Sequence, residues 1–182
     1  MNSSLFQALA AALAATKIEQ KLASTATLAD NWNAGLLNID IPHSPQLACG
    51  RPEKPELVAP GAVQQRNPKT PEGRARLLHA IVHIEFSAIN LALDHAARFP
   101  GMPRQYYADW IGVATEEAYH FQILRERLLS LGHDYGDFPA HGGLWEMAEK
   151  TTGDVLARMA LVPRLLEARG PDATPPIQRK LG

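Results

Sequence analysis

The sequence predicts an all-α protein organised around three long helices. Three segments, about 71–99, 104–131 and 144–169, carry apolar residues at the spacing of a helix and are bounded by residues that start or stop helices. No segment alternates polar and apolar residues as a half-buried strand does, and no glycine-rich phosphate loop or nucleophile motif is present. Phosphoryl transfer and acyl transfer therefore have no support.

Composition limits the class of protein. The chain of 182 residues is long enough for one domain with a substantial core, and its net charge of −1 comes without a basic cluster, so nucleic-acid binding is not indicated. The single cysteine, Cys49, excludes an intramolecular disulfide and a thiolate metal site. We therefore expect a reducing, cytoplasmic location, and any metal must be held by oxygen and nitrogen atoms.

Residues 1–40 are predicted to form N-terminal helices. Leu5, Leu9 and Leu13 repeat at helical spacing, and the positive residues that begin a signal peptide are absent, so we expect an amphipathic helix packed on the body. A second, short helix is predicted from about Thr25 to Ala34, ending at Gly35. No apolar run approaches the roughly 20 residues that span a bilayer, so no membrane segment is expected.

Residues 41–70 are predicted to form an extended segment that wraps over the surface. Seven of the 14 prolines lie between residues 41 and 71, and neither a helical nor a strand period is visible there.

The first long helix has a clear start, because Thr70 can cap it and Pro71 suits its first position; it is expected to end near Phe99, before Pro100. Glu85 lies near the centre of its apolar side, where a surface charge is not expected. The opposite, polar side is predicted to face solvent or to support a site, without supplying ligands itself. That side contains Arg76, His79, His83, Ser87, Asn90 and Asp94.

The second long helix, from about Arg104 to Leu131, contains Glu117-x-x-His120 within its apolar stripe. We expect both side chains to point to the core, where each needs a compensating partner. A metal cation suits the i, i+3 spacing, since an oxygen and a nitrogen on one helix face can reach one ion. A mutual bond between the two, or an arginine from another helix, is the open alternative.

The third long helix is predicted from about Leu144 to Arg169, with a kink at Pro163. Glu167 is its candidate inward carboxylate. Glu149 is a rival on the same face of that helix.

Several motifs together are similar to a bacterial ferritin-like family, domain of unknown function 455. They are Gly50-Arg-Pro-Glu-Lys-Pro-Glu-Leu-Val-Ala-Pro60, Glu72-Gly-Arg, Leu78-His-Ala-Ile-Val-His-Ile-Glu85, Ala88-Ile-Asn-Leu-Ala92 and Leu166-Glu-Ala-Arg-Gly170. The resemblance covers nearly the whole chain. It implies a ferritin-like bundle with a di-iron or mixed-metal site, whose ligands would be Glu85, Glu117, His120 and Glu167.

The chain departs from that family pattern after residue 170. Family members continue into a fourth helix with a second Glu-x-x-His, whereas the tail, residues 171–182, has no Glu and no His. The 71–170 segment is therefore expected to be an incomplete bundle, cut short before the fourth helix. Its apolar groove, lined by Leu78, Ile81, Leu124, Leu128 and Leu156, would be covered by the N-terminal helix or by a second copy in a homodimer.

For the intact family the resemblance favours an oxygen-dependent oxidase or oxygenase with a di-iron centre, since carboxylates and imidazole suit iron or manganese. In this chain the site is expected to be incomplete. The alternative is a non-enzymatic helical domain in which Glu85, Glu117 and His120 form a metal-free cluster. Iron storage is a third reading, disfavoured because the proline-rich segment is not part of a minimal storage subunit. Catalytic residues and the substrate are not predicted.

Overall fold

The computed structural model describes residues 3–40, 47–62 and 67–161. Its helices are α1 (Leu5–Ala14), α2 (Ile18–Asn33), α3 (Pro71–Arg98), α4 (Arg104–Ser130), α5 (Gly143–Glu149) and α6 (Val155–Leu161). A 3-10 turn covers Pro60–Ala62, and two short strands, β1 (Ser3–Ser4) and β2 (Leu37–Asn38), pair in parallel. The described chain is mostly helical, which confirms the all-α prediction, although the small strand pair was not predicted.

The start and end of α3 and α4 follow the sequence signals closely. The Thr70 hydroxyl accepts the backbone N–H of Gly73, which is the expected cap of α3. Helix α4 ends at Ser130, one residue before the expected end at Leu131, and Gly132 with a φ of +83° follows it. The helix at about Thr25 to Ala34 is longer than predicted, because α2 already begins at Ile18.

The chain divides into two compact units, one formed by residues 1–53 and 85–123 and the other by residues 54–84 and 124–182. In the first unit, α1 buries Leu5, Leu9 and Leu13, and Phe6 contacts Tyr107 of α4 edge to face with ring centroids 5.7 Å apart. Helix α1 therefore packs against α4 within this unit, whereas the residues expected to line the apolar groove belong to the other unit.

The end of α1 is fixed by two hydrogen bonds to the carbonyl of Leu13. The ammonium of the fully buried Lys21 donates one, and the backbone N–H of Gly50 donates the other. Burial lowers the pKa of Lys21 to about 8, because a charged ammonium is costly away from water.

The polar side of α3 does not face solvent as predicted. Every residue from Ala88 to Ala97 is buried, including Asn90 and Asp94, and His79 is only 1% exposed. The prediction failed because polar groups on this side find hydrogen-bond partners inside the protein. Asp94 accepts a hydrogen bond from the Arg98 guanidinium, and His79 accepts one from the backbone N–H of Gly136. Arg76, by contrast, pairs with Glu72 in a solvent-accessible position.

The predicted continuous helix from Leu144 to Arg169 is wrong. Helix α5 ends at Glu149, and α6 starts at Val155 with Asp154 as its cap, since the Asp154 carboxylate accepts the backbone N–H groups of Leu156 and Ala157. Two β-branched threonines and Gly153 precede the cap and disfavour a helix there. Glu149 is exposed, so it is not a core carboxylate, and Pro163 and the tail lie outside the described residues.

The expected apolar groove is also not one surface. In the second unit Leu128 is fully buried, while Leu156 is 75% exposed.

Helix α3 is long and apolar enough, by length and composition, to cross a membrane, although no membrane segment was expected. In the protein, however, 56% of its apolar 18-residue window is buried. The core helix of a folded domain passes the same test.

Candidate metal centre

Helices α3 and α4 form an antiparallel pair whose register is set by aromatic contacts in the first unit. Phe86 contacts Phe121 with ring centroids 5.5 Å apart, and nearer the turn His95 stacks on Trp110 at 3.9 Å. As the numbering rises along α3 it falls along α4. This register places the turn of α3 that carries Glu85 opposite the turn of α4 that carries Glu117.

Two tyrosines close the connection between the helices. The Tyr107 hydroxyl donates to the carbonyl of Phe99 and accepts the backbone N–H of Met102, each at 3.1 Å. The Tyr106 hydroxyl donates to the carbonyl of His95 at 3.1 Å. These bonds hold the end of α3 against the start of α4, a role that the sequence analysis did not assign to either tyrosine.

Glu85, Glu117 and His120 converge. Each side chain offers one ligand atom, and the three atoms lie within 4.8 Å of one another. His120 Nδ1 lies 3.3 Å from Glu117 Oε2, and the Glu85 and Glu117 carboxyl groups share a hydrogen bond. We call this group the Glu–Glu–His cluster.

The cluster is less buried than the sequence pattern suggested. The side chain of Glu117 is 24% exposed and that of His120 is 49% exposed, so the expectation that both point to the core is wrong for His120. The reason is the position of the buried stripe of α4, which runs through Ala114, Ala118 and Phe121. Glu117 and His120 flank that stripe, and solvent reaches His120 directly.

The two carboxylates disfavour ionising together. Burial, the hydrogen bond with Glu117 and the Glu117 charge, in that order, raise the pKa of Glu85 from its usual value to about 8. At neutral pH the pair therefore retains a proton when no cation is present. A cation held by the oxygens would favour the ionised carboxylates and so offset the shift.

Glu167, the fourth predicted ligand, lies outside the described residues. Among the residues that the structure describes, the Glu–Glu–His cluster is the one group of three or more His, Cys, Asp or Glu side chains placed to hold an ion. His79 and His83, an i, i+4 pair on α3, are used elsewhere. His79 accepts the backbone N–H of Gly136, and His83 Nδ1 lies 2.9 Å from the hydroxyl of Tyr135.

A groove of about 450 Å³ between α2 and α4 lies on the other side of α4. It is lined partly by Leu22, Ala26, Ala118 and Tyr119. Ala118 and Gln122 project about 100° and 140° around the helix from Glu117, and His120 projects in the opposite sense. The groove therefore does not open onto the cluster.

Comparison with known proteins places the chain in a family. The family described as "Protein of unknown function (DUF455)" matches residues 14–182. The chain belongs to the DUF455 family. A protein of Haemophilus influenzae, described as "Uncharacterized protein", is 56% identical to this DUF455 chain over 137 residues, which are 71% of the chain and 48% of that protein.

The DUF455 chain thus spans about half the length of this curated relative. No solved structure matches it. The family description names no reaction. Among the described residues, the Glu–Glu–His cluster is the feature that bears on function.

Proposed function

We propose that this DUF455 chain is a ferritin-like metal-binding protein whose Glu85, Glu117 and His120 hold iron or manganese. The convergence of their three ligand atoms within 4.8 Å carries the proposal. In ferritin-like di-metal proteins two helices each give one Glu and two give Glu-x-x-His. Helices α3 and α4 supply one Glu and one Glu-x-x-His, which is half of that set, and Glu167 is proposed as a further ligand.

The chemistry of the donors fits the proposed ions. Two carboxylate oxygens and one imidazole nitrogen form a hard, mixed oxygen and nitrogen set, which suits iron and manganese better than a soft ion. Burial and the nearby Glu117 together raise the pKa of Glu85 to about 8, and the site carries a local excess of negative charge when both carboxyl groups ionise. A divalent cation offsets that charge, and its binding displaces the proton that the two carboxyl groups share.

The reaction class that we propose is oxygen-dependent oxidation of an organic substrate, for which a bound di-iron or mixed-metal centre supplies the redox chemistry. The protein contributes the ligands, an open edge and a closed side. Glu85 and Glu117 provide the anionic ligands, and His120 provides the nitrogen ligand at the edge of the cluster. Because the His120 side chain is 49% exposed, that edge is open to small molecules from solvent. The contact between Phe86 and Phe121 closes the protein side.

A second candidate is a non-enzymatic helical domain in which the cluster binds no metal. The observation that favours it is the set of contacts inside the cluster, since the Glu85 and Glu117 carboxyl groups share a hydrogen bond and His120 Nδ1 lies 3.3 Å from Glu117. These contacts partly satisfy the polar groups without a cation. Metal analysis distinguishes the two candidates.

The test is anaerobic loading with Fe²⁺ or Mn²⁺, removal of excess ion, and elemental analysis. We expect retained metal in the wild type and at least tenfold weaker retention in His120→Ala and Glu85→Gln. Glu116→Gln is the matched control, because Glu116 is the exposed neighbour of Glu117 on the same helix. If the wild type retains no more metal than His120→Ala, the metal-free candidate replaces the metal site. If the wild type does retain metal, oxygen uptake by the loaded protein tests the proposed reaction class separately.

A further inference from the structure

A loop after α4, residues 134–138, is fastened to α3 through one buried histidine. The backbone N–H of Gly136 donates to His79 Nε2 at 2.9 Å, and His79 is 1% exposed. A backbone N–H can only donate, so Nε2 must be the acceptor. The ring in this arrangement is therefore neutral, with its proton on Nδ1.

Aromatic packing holds the ring in place. His79 stacks on Tyr135 with centroids 5.5 Å apart and planes 26° apart, and the ring of Phe138 meets it edge-on at 5.5 Å. Tyr135 and Phe138 are themselves buried. The loop thus covers His79 with its own aromatic side chains, and opening it would expose all three rings.

Basic residues contact the loop that covers His79. On α3, the Arg76 guanidinium lies 4.5 Å from the Phe138 ring centroid, and His83 contacts the Tyr135 hydroxyl. From the segment before α3, Lys54 packs against Gly136 so closely that a Cβ on that glycine would lie 2.9 Å from the Lys54 Cβ. The burial of His79 itself disfavours a charged ring, because a charge is costly away from water.

The acidic groups of the loop are already paired. Asp134 accepts two bonds from Arg125, at 2.7 and 2.8 Å, and these bonds lower the pKa of its carboxyl group more than the nearby His79 does. Asp137 lies 3.8 Å from His133 and accepts the backbone N–H of Asp134. Both carboxylates therefore have hydrogen-bond or ion-pair partners other than His79, and Asp134 also interacts electrostatically with His79.

We propose that His79 is a proton-sensitive latch for the 134–138 loop. The neutral ring holds the loop on α3. A proton on Nε2 removes the acceptor, turns two donors towards each other in a buried site, and releases the loop together with Tyr135 and Phe138. This device is independent of metal binding at the Glu–Glu–His cluster.

The pH range follows from linkage. An imidazole in water is half protonated at about pH 6.5, and this applies to His79 when the loop is open. When the loop is closed, the hydrogen bond from Gly136 favours the neutral ring. Below about pH 6.5 the equilibrium constant for opening therefore rises by up to about tenfold for each pH unit. Above that pH the latch stays closed.

Hydrogen exchange at the amide of Gly136 reports the latch directly, because this N–H is the donor. After correction for the intrinsic pH dependence of exchange, we expect its protection factor in the full chain to fall at least tenfold between pH 7.5 and pH 5. Amides in the middle of α4 should keep their protection. In the wild type, the NMR titration of the His79 ring should follow the same pH dependence as the loss of protection.

Two variants sharpen the test. His79→Gln retains an acceptor that does not titrate, so its Gly136 protection should be independent of pH. His141→Gln, a change at a partly exposed histidine outside the 134–138 loop, should behave as the wild type. Unchanged protection in the wild type at pH 5, or a loss that persists in His79→Gln, would overturn the proposal. If His79→Gln does not fold, a wild-type His79 ring that stays neutral while Gly136 loses protection overturns it equally.

Discussion

Phe86 on α3 packs against Phe121 on α4 with ring centroids 5.5 Å apart, and each ring directly follows a residue of the Glu–Glu–His cluster. Glu85 precedes Phe86, and His120 precedes Phe121. Because both rings are buried, their contact fixes the separation of the two turns that carry the ligand atoms. The geometry of the cluster is therefore a consequence of core packing one residue away.

Phe121→Ala should be strongly destabilising. The Phe121 side chain is fully buried, and truncating such a residue costs about 3–5 kcal/mol through lost burial and the cavity left behind. Urea unfolding followed by circular dichroism measures the change. Tyr119→Ala, on the same helix but 61% exposed, is the control and should cost much less; equal losses in the two variants would contradict the packing assigned to Phe121.

Glu85→Gln should change how the stability of the metal-free protein depends on pH. The folded pKa of Glu85 is about 8, above its usual value of 4.5, so the folded state binds the extra proton between those two values. This contribution to stability is complete below about pH 4.5 and is lost as the pH rises through 8. Midpoints of thermal unfolding in chelator from pH 5 to 9 measure it.

The wild type should lose stability relative to Glu85→Gln as the pH rises across that range. Glu116→Gln should keep the wild-type profile, because Glu116 is exposed and outside the cluster. Parallel profiles for the wild type and Glu85→Gln would mean that the two carboxyl groups do not interact in solution.

The sequence predicted the α3–α4 hairpin well because its signals are local. Thr70, Pro71 and Gly132 act within a turn of their own positions, so they are legible without tertiary structure. The convergence of Glu85 with Glu117 and His120 was also predicted, since a charge on an apolar face needs a nearby partner.

The burial of polar residues on α3 could not be predicted in the same way. His79 is buried because Gly136, 57 positions later in the chain, supplies its hydrogen bond. Helical periodicity has no information about such a distant donor, so a polar stripe was interpreted as a solvated one. The exposure of His120 was missed for a related reason, because a wide apolar stripe does not reveal where its most buried line lies.

The break between α5 and α6 did leave a local signal that was missed. Asp154 follows Gly153 and precedes an apolar run, which is a typical helix start. Asp154→Ala should therefore destabilise the protein by about 1 kcal/mol, the usual effect of removing an N-cap. Urea unfolding checks this, with Asp154→Asn as the control, since asparagine also caps helices and should cost much less. An identical loss in both variants would show that Asp154 acts through its charge and not as a cap.

Gly50 and Gly112 should respond in opposite directions to the same added methyl group. A Cβ at Gly50 would lie 2.1 Å from the carbonyl oxygen of Ala14, and a backbone atom at the end of α1 cannot move aside as a flexible side chain can. Overpacking of this kind costs about 1–3 kcal/mol, and Gly50→Ala should reach the upper end because it also disturbs the hydrogen bond from Gly50 to Leu13.

Gly112 lies on the exposed side of α4, and a methyl group added there would meet nothing within 4 Å. Gly112→Ala should therefore stabilise the protein by about 0.5–1 kcal/mol through helix propensity alone. Both values come from urea unfolding under one set of conditions; a neutral Gly50→Ala would mean that residues near Gly50 do not pack against the end of α1 in solution.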